Sequence, residues 1–502
     1  MTRPETIGEL RAVGWESVPV AAELRRNAVA RIRAGEPLFA EVLGYDDTVL
    51  PQLENALLAG HDVIFLGERG QAKTRLIRGL TGLLDEWMPI VAGSEINDDP
   101  YAPVSRHGRD LVAELGDDTP VDWVHRDDRY GEKLATPDTS IADLIGEVDP
   151  IRVAEGRYLS DELTIHYGLV PRTNRGLFAI NELPDLAERI QVGLLNVLEE
   201  RDVQIRGHRV RLPLDVVLFA SANPEDYTNR GRIITPLKDR FGSQIRTHYP
   251  LDVDVEMDIV VQEAVIPTVD GVEVVVPDFM TRVVATMSQE ARRSPHLNQR
   301  SGVSVRMSVA CQEALAASAV RRAVRAGESV AVPRVSDLDA LPSAMAGKVE
   351  VDSMDEDRDG EILARIVQVA VLSVFRDLVP GELHRGVVEA FDAHEGVSTG
   401  EDLGAGAYAE VVNEIPALAT AATAVLGDES SDHGSVASRE TTDPALLASA
   451  VELVLEGLHL SRRLNKETSG PRSRYLSRGG QAGGGQAGGG QPRDGQMGAG
   501  ES

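Results

Sequence analysis

Residues 67 to 74, Gly-Glu-Arg-Gly-Gln-Ala-Lys-Thr, combine the groups that can hold a phosphate. Gly67 and Gly70 supply permissive backbone whose N–H groups can curl around an anion. Lys73 supplies a cation and Thr74 a hydroxyl for Mg²⁺, at the mouth of a predicted helix. The segment therefore predicts a phosphate-binding loop.

The loop departs from the usual pattern at Ala72, where a glycine normally precedes the lysine. An alanine is tolerated wherever φ is negative. Gln71 completes the candidate nucleotide-binding segment. The alternative is an ordinary turn between a strand and a helix, since short loops of Gly, Lys and Thr also occur by chance.

A second candidate is Asn181-Glu182, directly after the apolar run GLFAI. A glutamate at such a strand end can polarise the attacking water, and the residue before it normally orients a metal ion. Asn181 can hydrogen-bond a metal-bound water but contributes no charge, so Mg²⁺ affinity or turnover is in question. Without the loop upstream, Glu182 would be a solvated carboxylate at a strand end.

Three further residues become candidates for the site because of their order along the chain. Asn223, near the end of the apolar run DVVLFAS, can contact a γ-phosphate or the attacking water, or it caps a turn. Arg240 and Arg306 follow in TPLKDRF and SGVSVRMSV. An isolated arginine is most often a surface residue, so neither is informative alone.

The elements that must position these residues alternate between short apolar runs and amphipathic stretches. This alternation predicts an α/β fold with a largely parallel sheet. We expect strands at DVIFL, GLFAI and DVVLFAS, and a hairpin turning at Asp270-Gly271. A helix is predicted after Asp443 as N-cap and Pro444 as first helical residue. The predicted regions are an N-terminal helical segment (1–45), a nucleotide-binding core (46–250), a helical lid (251–349), a helical C-terminal region (350–465) and a flexible Gly-rich tail (466–502).

Composition limits the kinds of partner. The 502 residues carry a formal net charge of -29, which disfavours nonspecific binding to nucleic acids and to acidic membranes. Cys311 is the single cysteine, so an intrachain disulfide and a thiolate-rich zinc site are excluded. With no apolar run typical of a signal peptide or a transmembrane helix, we expect a cytoplasmic protein.

The order of loop, strand-Glu, strand-Asn, DRF and helical Arg resembles the AAA+ ATPases over roughly residues 45 to 325. More narrowly, GLVPRTNRGLFAINELPDL and LLNVLEERDVQIRGHRVRLPLDVVLFASANPED are similar to the branch of the magnesium-chelatase I-subunits and the MoxR-type ATPases. LIGEVDPIRVAEGR also resembles the chelatase-type insert. An alanine before the loop lysine is also seen in the MoxR-type branch.

The resemblance implies an AAA+ P-loop core followed by a helical lid, with ATP and Mg²⁺ as ligands. It implies Lys73 and Thr74 for phosphate and metal, Glu182 as water activator and Asn223 as sensor 1. It also implies Arg240 as a finger that reaches a neighbouring subunit's nucleotide and Arg306 as sensor 2. A homo-oligomeric ring, by family habit a hexamer, and a separate partner with a von Willebrand A-type domain follow from the same resemblance.

Three functions stay open on the sequence. The first is a Mg²⁺-dependent ATPase that remodels or activates a partner complex, and the second is a magnesium-chelatase motor subunit for porphyrin metallation. The third is a nucleotide-sensing binding module with little turnover, which Asn181 favours. A nucleic-acid motor fits the acidic composition least. Separately, DEDRDG (355–360) matches the opening of an EF-hand calcium loop, but Ile366 stands where its last ligand should be.

Overall fold

The computed structural model describes residues 3–148, 164–200, 202–204, 211–223, 231–299, 301–352, 358–427 and 443–478. The chain divides into two compact units. The first comprises Met1–Val265, Val284–Ala314 and Leu341–Ile366, and the second comprises Ile266–Val283, Leu315–Ala340 and Val367–Ser502.

Sixteen strands are described. They are β1 (Val63–Leu66), β2 (Trp87–Val91), β3 (Val121–His125), β4 (Tyr130–Leu134), β5 (Gly146–Val148), β6 (Ile165–Tyr167), β7 (Gly176–Asn181), β8 (Asp202–Gln204), β9 (Arg211–Pro213), β10 (Val216–Ala222), β11 (Ser243–Arg246), β12 (Glu273–Val274), β13 (Val330–Ala331), β14 (Val397–Gly400), β15 (Leu464–Ser469) and β16 (Arg472–Ser477).

The described α-helices of the first half of the chain are α1 (Ile7–Ala12), α2 (Val20–Ala34), α3 (Val49–Ala59), α4 (Lys73–Gly79), α5 (Arg106–Leu115), α6 (Ile141–Leu144), α7 (Leu169–Arg172), α8 (Glu188–Glu199) and α9 (Thr235–Arg240). The second half adds α10 (Val253–Glu263), α11 (Asp278–Arg293), α12 (Val305–Ala326), α13 (Leu341–Met345), α14 (Asp359–Leu378), α15 (Gly381–Phe391), α16 (Ala405–Glu414), α17 (Pro416–Gly427) and α18 (Pro444–Leu460). Short 3₁₀ turns lie at Leu80–Leu83, Gly116–Asp118, Arg126–Arg129, Leu183–Asp185 and Val335–Ala340.

A five-stranded parallel sheet in the order β11-β1-β10-β7-β4 forms the centre of the first unit. Its middle strands are buried, as expected for parallel strands that are covered on both faces. The three apolar runs that predicted strands form β1, β7 and β10, so the α/β prediction with a mainly parallel sheet is confirmed. The loops after these strands leave from one edge of the sheet, where ligands bind in open α/β folds.

Two hydrophobic cores cover the two faces of this sheet. Phe65, Leu177, Ala179 and Phe219 pack with residues of α2, α3 and α4 on one face. Ile64, Phe178, Ile180 and Leu218 pack with residues of α8 on the other. Alternate residues of each strand therefore belong to opposite cores, as the pleat of a strand requires.

Three antiparallel pairs, β2-β3, β5-β6 and β8-β9, complete the strands of the first unit. Residues 205–210, between β8 and β9, lie outside the described residues. The same holds for residues 149–157 of the chelatase-type insert, which follow β5.

The second unit is mainly helical, with the antiparallel sheet β14-β16-β15 and the short parallel pair β12-β13. Gly457 lies within α18, where an added Cβ would be 2.0 Å from Phe375 Cγ, so the helix approaches this ring closely. The predicted N-cap of α18 is confirmed, because the Asp443 side chain accepts a hydrogen bond from Ala445 N–H.

Two predictions of local structure are wrong. Asp270-Gly271 does form a turn, with an isolated antiparallel bridge from Val269 to Val272, but β12 pairs in parallel with β13 instead of completing a hairpin. The tail does not begin at residue 466, since β15 and β16 occupy Leu464–Ser469 and Arg472–Ser477. Short polar strands such as LNKETS lack the apolar residues by which a strand is predicted from sequence. Such a strand forms because it pairs with its neighbour in the sheet. The Gly-rich remainder, 479–502, lies outside the described residues.

Candidate functional site

The loop between β1 and α4 requires glycine at two positions. A Cβ at Gly67 would lie 1.9 Å from Thr247 Oγ1 and 2.2 Å from Gln71 Oε1. Gly70 has a φ of +75°, and a Cβ there would lie 1.9 Å from Ser304 Oγ. Both glycines are thus fixed by close packing, and Gly70 also by a left-handed backbone.

Ala72 has a φ of +51° and a ψ of 16°, so it lies outside the negative-φ region in which an alanine is readily tolerated. Its carbonyl accepts the first hydrogen bond of α4, from Leu76 N–H at 2.9 Å. The turn into the helix therefore needs the left-handed conformation that a glycine would supply. An L-residue pays about 1–2 kcal/mol for that conformation.

The Lys73 ammonium lies inside the loop that precedes it. Nζ donates hydrogen bonds to Gly67 O at 2.5 Å and to Glu68 O at 2.6 Å. The residue is 7% exposed and lines a cavity together with Thr74. A buried ammonium that donates to main-chain carbonyls can exchange them for stronger, charged acceptors.

The cavity beside the loop has a volume of about 510 Å³, the size of a small-molecule site. It lies within the first unit, between the segment 41–45, the loop with α4, the ends of β7 and β10, α10, and the first turns of α12. Its lining residues include Glu41, Gly44, Tyr45, Gly70, Gln71, Ala72, Lys73, Thr74, Glu182, Ser221, His248, Glu263, Arg306 and Glu313.

Tyr45, in the segment before α3, forms a hydrogen bond with the loop. Its hydroxyl donates to Gln71 O at 2.9 Å and lies 2.8 Å from His248 O. Burial raises the pKa of Tyr45, so the phenol stays protonated. The sequence analysis missed this residue, because nothing in a lone tyrosine 26 positions before Gln71 marks it as a loop contact.

Charged side chains line the cavity near α10. Arg75 donates to both carboxylate oxygens of Glu263, at 2.5 and 2.9 Å. Burial alone would raise the pKa of Glu263, but hydrogen bonds from Gln262 and Arg75 outweigh it and hold that pKa below its ordinary value. Glu263 is therefore ionised and committed to Arg75. Arg306 and Glu313 of α12 line the same cavity, and the sensor-2 role of Arg306 stays a prediction.

Glu182, which lines the cavity, has an unusual backbone conformation. Its φ is +54° and its ψ is 47°, a left-handed conformation that costs an L-residue about 1–3 kcal/mol. Two of the five described non-glycine residues with positive φ, Ala72 and Glu182, thus lie at this one cavity. Strain of this kind clusters at functional sites.

Asn181 does not line the cavity. It is 8% exposed, and its amide joins Glu132 on β4 to Ser221 on β10. Ser221, which the sequence analysis did not single out, is the β10 residue that reaches the cavity.

The other predicted site residues lie apart from the cavity. Asn223 is buried at the end of β10 and is not among the lining residues. Arg240 is also not among them, and its guanidinium pairs with Glu199 at 2.5 Å. The roles proposed for both residues stay predictions.

The oxygen donors of the cavity suit a small hard cation. Thr74, Glu182 and Ser221 offer two hydroxyls and a carboxylate, and Mg²⁺ prefers such oxygen ligands while keeping several waters. In the described part of the chain, no group of three or more His, Cys, Asp or Glu side chains is placed to hold a metal by itself.

Two other features of the sequence lie outside the set of lining residues. Residues 355–357 of the EF-hand-like segment lie outside the described residues, and Asp359-Gly360 begins α14. Cys311 is buried, and burial raises the pKa of its thiol to about 12. Among the described residues, no helix has the length and apolar character needed to cross a membrane.

Comparison with known proteins gives one curated relative. The chain is 28% identical over 227 residues to the magnesium-chelatase subunit ChlI of Guillardia theta, covering 42% of this chain and 57% of the relative. The chain thus spans little more than half of that protein's length. No family model matches the sequence.

Solved structures give weaker likenesses. A chain from the complex of the BchI and BchD subunits of magnesium chelatase is 22% identical, with 65% of this chain and 98% of that chain covered and a TM-score of 0.34. NtrX from Brucella abortus in complex with ATP is 14% identical, with 76% and 67% covered and a TM-score of 0.32. At these TM-scores neither structure supports a conclusion about this chain. Over the 227 matched residues, the chain is similar to a magnesium-chelatase subunit.

Proposed function

We propose that the chain is a Mg²⁺-dependent ATPase that couples ATP binding and hydrolysis to remodelling or activation of a partner protein complex. One observation carries the proposal: Lys73 and the first turn of α4 line a cavity of about 510 Å³ beside a loop that glycines fold around them. A helix N-terminus with a lysine is a ready site for phosphate, because its N–H groups and the ammonium all face the anion.

Four of the lining residues have distinct tasks in this proposal. Lys73 exchanges the carbonyls of Gly67 and Glu68 for phosphate oxygens. Glu182 holds the attacking water and polarises it, and Arg306 binds a phosphate oxygen from α12. When bound, Mg²⁺ would neutralise charge on the phosphates, with Thr74 supplying a hydroxyl to its coordination shell.

A ring follows if Arg240 is a finger residue. Arg240 does not line its own subunit's cavity, so it can stabilise transition-state charge only at a neighbouring subunit's nucleotide. We propose a homo-oligomeric ring, with six members by family habit, that works with a separate von Willebrand A-type protein. Arg240 is held by Glu199 in the isolated chain, and subunit contact would release it.

Two alternatives rest on specific observations. The curated relative is a magnesium-chelatase subunit, which favours a motor that supports porphyrin metallation. The amide at Asn181 favours a nucleotide switch with little turnover, because the site then lacks the acid that normally orients the metal.

The test is steady-state ATPase activity against protein concentration, with Mg²⁺ and with Glu182→Gln as control. We expect specific activity to rise steeply with concentration and to fall at least about 100-fold in Glu182→Gln, the range in which a positioned base contributes. Activity that does not depend on concentration would contradict the ring. Tight ATP binding without turnover in the unaltered chain would favour the switch.

A further inference from the structure

One polar chain crosses three neighbouring strands next to the cavity. Asn181 Nδ2 donates to Glu132 Oε1 at 2.5 Å, and Ser221 Oγ donates to Asn181 Oδ1 at 3.0 Å. The Glu182 N–H points at the same Ser221 Oγ, at 3.3 Å. The hydrogen-bond chain therefore runs from Glu132 on β4 through Asn181 to Ser221 and Glu182, the two residues that line the cavity.

The strand register explains why these side chains meet. Glu132 is paired with Ala179, two residues before Asn181, so both side chains lie on the same face of the sheet as diagonal neighbours. Ala220 is paired with Ile180, which places Ser221 directly beside Asn181. The contact thus follows from the order β10-β7-β4.

The hydrogen bonds also fix which way the amide points. A carboxylate only accepts, so it takes the Asn181 NH₂ and leaves the Asn181 carbonyl to accept from Ser221. Ser221 Oγ is thereby left with its lone pairs toward the Glu182 N–H and the cavity. An ionised aspartate at position 181 could not form these hydrogen bonds, because two like-charged carboxylates would then meet at hydrogen-bonding distance.

The negative charge of Glu132 is only partly compensated. Arg78 donates to its two oxygens at 2.9 and 3.2 Å, and the Tyr130 hydroxyl lies 3.1 Å away. The Arg78 side chain is 64% exposed and that of Glu132 is 22% exposed. Water screens the exposed guanidinium, so its pairing with the Glu132 carboxylate is weakened.

We propose that Glu132 takes over, from the neighbouring strand, the acidic role that Asn181 lacks, and acts on the bound cation through the amide of Asn181 and the hydroxyl of Ser221. Glu132 is a positioning residue, since it reaches the cavity only through the other two. This inference rests on the proposed Mg²⁺-dependent nucleotide site and explains how that site works without an acid on β7.

The experiment exchanges the two groups and measures ATP binding. Equilibrium titration gives the ATP affinity in Mg²⁺ and in EDTA for the unaltered chain, Glu132→Gln, Asn181→Asp and the double variant. We expect the unaltered chain to bind ATP at least about tenfold more tightly in Mg²⁺. Glu132→Gln should lose most of that preference, and the double variant should regain it because the carboxylate is then on β7.

A second readout tests the contact itself without nucleotide. Asn181→Asp alone should lower the thermal unfolding midpoint, and adding Glu132→Gln should restore it, as expected for coupled neighbours. Asp85→Asn is the matched control, because Asp85 pairs with Arg26 on the surface and has no contact with β7 among its described hydrogen bonds. It should leave the Mg²⁺ preference unchanged.

Four results would overturn the inference. The first is a Mg²⁺ preference in Glu132→Gln equal to that of the unaltered chain, and the second is a double variant that fails to recover it. The third is ATP binding with no Mg²⁺ preference in the unaltered chain, which would overturn this inference and leave nucleotide binding in place. Absence of any ATP binding would overturn the proposed function together with the inference.

Discussion

The cavity beside Lys73 and a buried ion-pair cluster in the second unit both keep charged side chains away from water. Lys73 is 7% exposed, and its described hydrogen bonds go to main-chain carbonyls. In the cluster, formed by Arg322, Glu328, Arg334 and Asp337, Arg322 is 1% exposed and bonds to Asp337 at 3.1 Å. Burial alone therefore does not distinguish a ligand site from a structural one.

The difference lies in how each charge is satisfied. Asp337 accepts from Arg322, from the Arg334 N–H at 2.9 Å and from Ser318 at 3.0 Å, so its oxygens are committed. The guanidinium of Arg334 also lies over the Tyr408 ring, 4.9 Å from its centroid. Lys73 instead faces a cavity and sits next to strained backbone at Ala72. Committed charges hold a fold together, and charges that face a cavity can exchange their partners for a ligand.

The largest expected effect is on stability, at the cluster. Asp337→Ala leaves Arg322 buried without its partner, which should cost about 3–5 kcal/mol of unfolding free energy. Chemical denaturation measures this. The matched control is Asp402→Ala, whose ion pair with Arg472 is exposed and should be worth less than about 1 kcal/mol. Equal losses in the two variants would contradict the structural role of the cluster.

The next effect is on binding, at the cavity. Arg306→Ala should weaken ATP binding by about tenfold, or about 1.4 kcal/mol, because a charge-assisted hydrogen bond to phosphate is lost. Its unfolding free energy should hardly change. Arg325→Ala, an exposed arginine near the end of the same helix, is the control. An Arg306 variant with unaltered affinity would contradict the proposed contact between Arg306 and a phosphate oxygen.

A smaller effect tests the strain at the loop. Ala72→Gly relieves about 1–2 kcal/mol of left-handed strain, and the more flexible unfolded chain offsets about 0.4–1 kcal/mol of it. The net gain should be about 1 kcal/mol or less, seen as a higher unfolding midpoint. Ala30→Gly within α2 should lose about 1 kcal/mol instead. Destabilisation of both variants to the same extent would show that Ala72 carries no strain.

The smallest effect concerns the thiol on α12. Cys311 lies on the same helix as Arg306 but is buried in the interior, and burial raises its pKa to about 12. The thiolate is the reactive form, so alkylation of the folded protein near pH 8 should be very slow and should speed up as the pH rises. Alkylation in urea is the control. Rapid labelling of the folded chain would place Cys311 near solvent.

The sequence predicted the parts of the site whose residue types and order are constrained along the chain. Gly70, Lys73, Thr74, Glu182 and Arg306 were all predicted, and all line the cavity. The strands β1, β7 and β10 were predicted because parallel strands buried on both faces read as apolar runs.

The remaining features depend on contacts between distant segments. Tyr45 and Ser221 reach the cavity only because the fold brings them there, and neither residue type signals this alone. The contact between Glu132 and Asn181 needs the strand order, which periodicity does not give. The left-handed φ of Ala72 was missed because alanine normally avoids it, and local preference gave way to the geometry of the loop.

The most direct test of the central claim is an equilibrium titration of ATP with Mg²⁺ into the unaltered chain and Lys73→Ala. If the cavity at Lys73 is the nucleotide site, Lys73→Ala should raise Kd at least about 100-fold, or about 2.7 kcal/mol, while the chain stays folded. Equal affinity in the two proteins would contradict the claim and would place any bound nucleotide elsewhere.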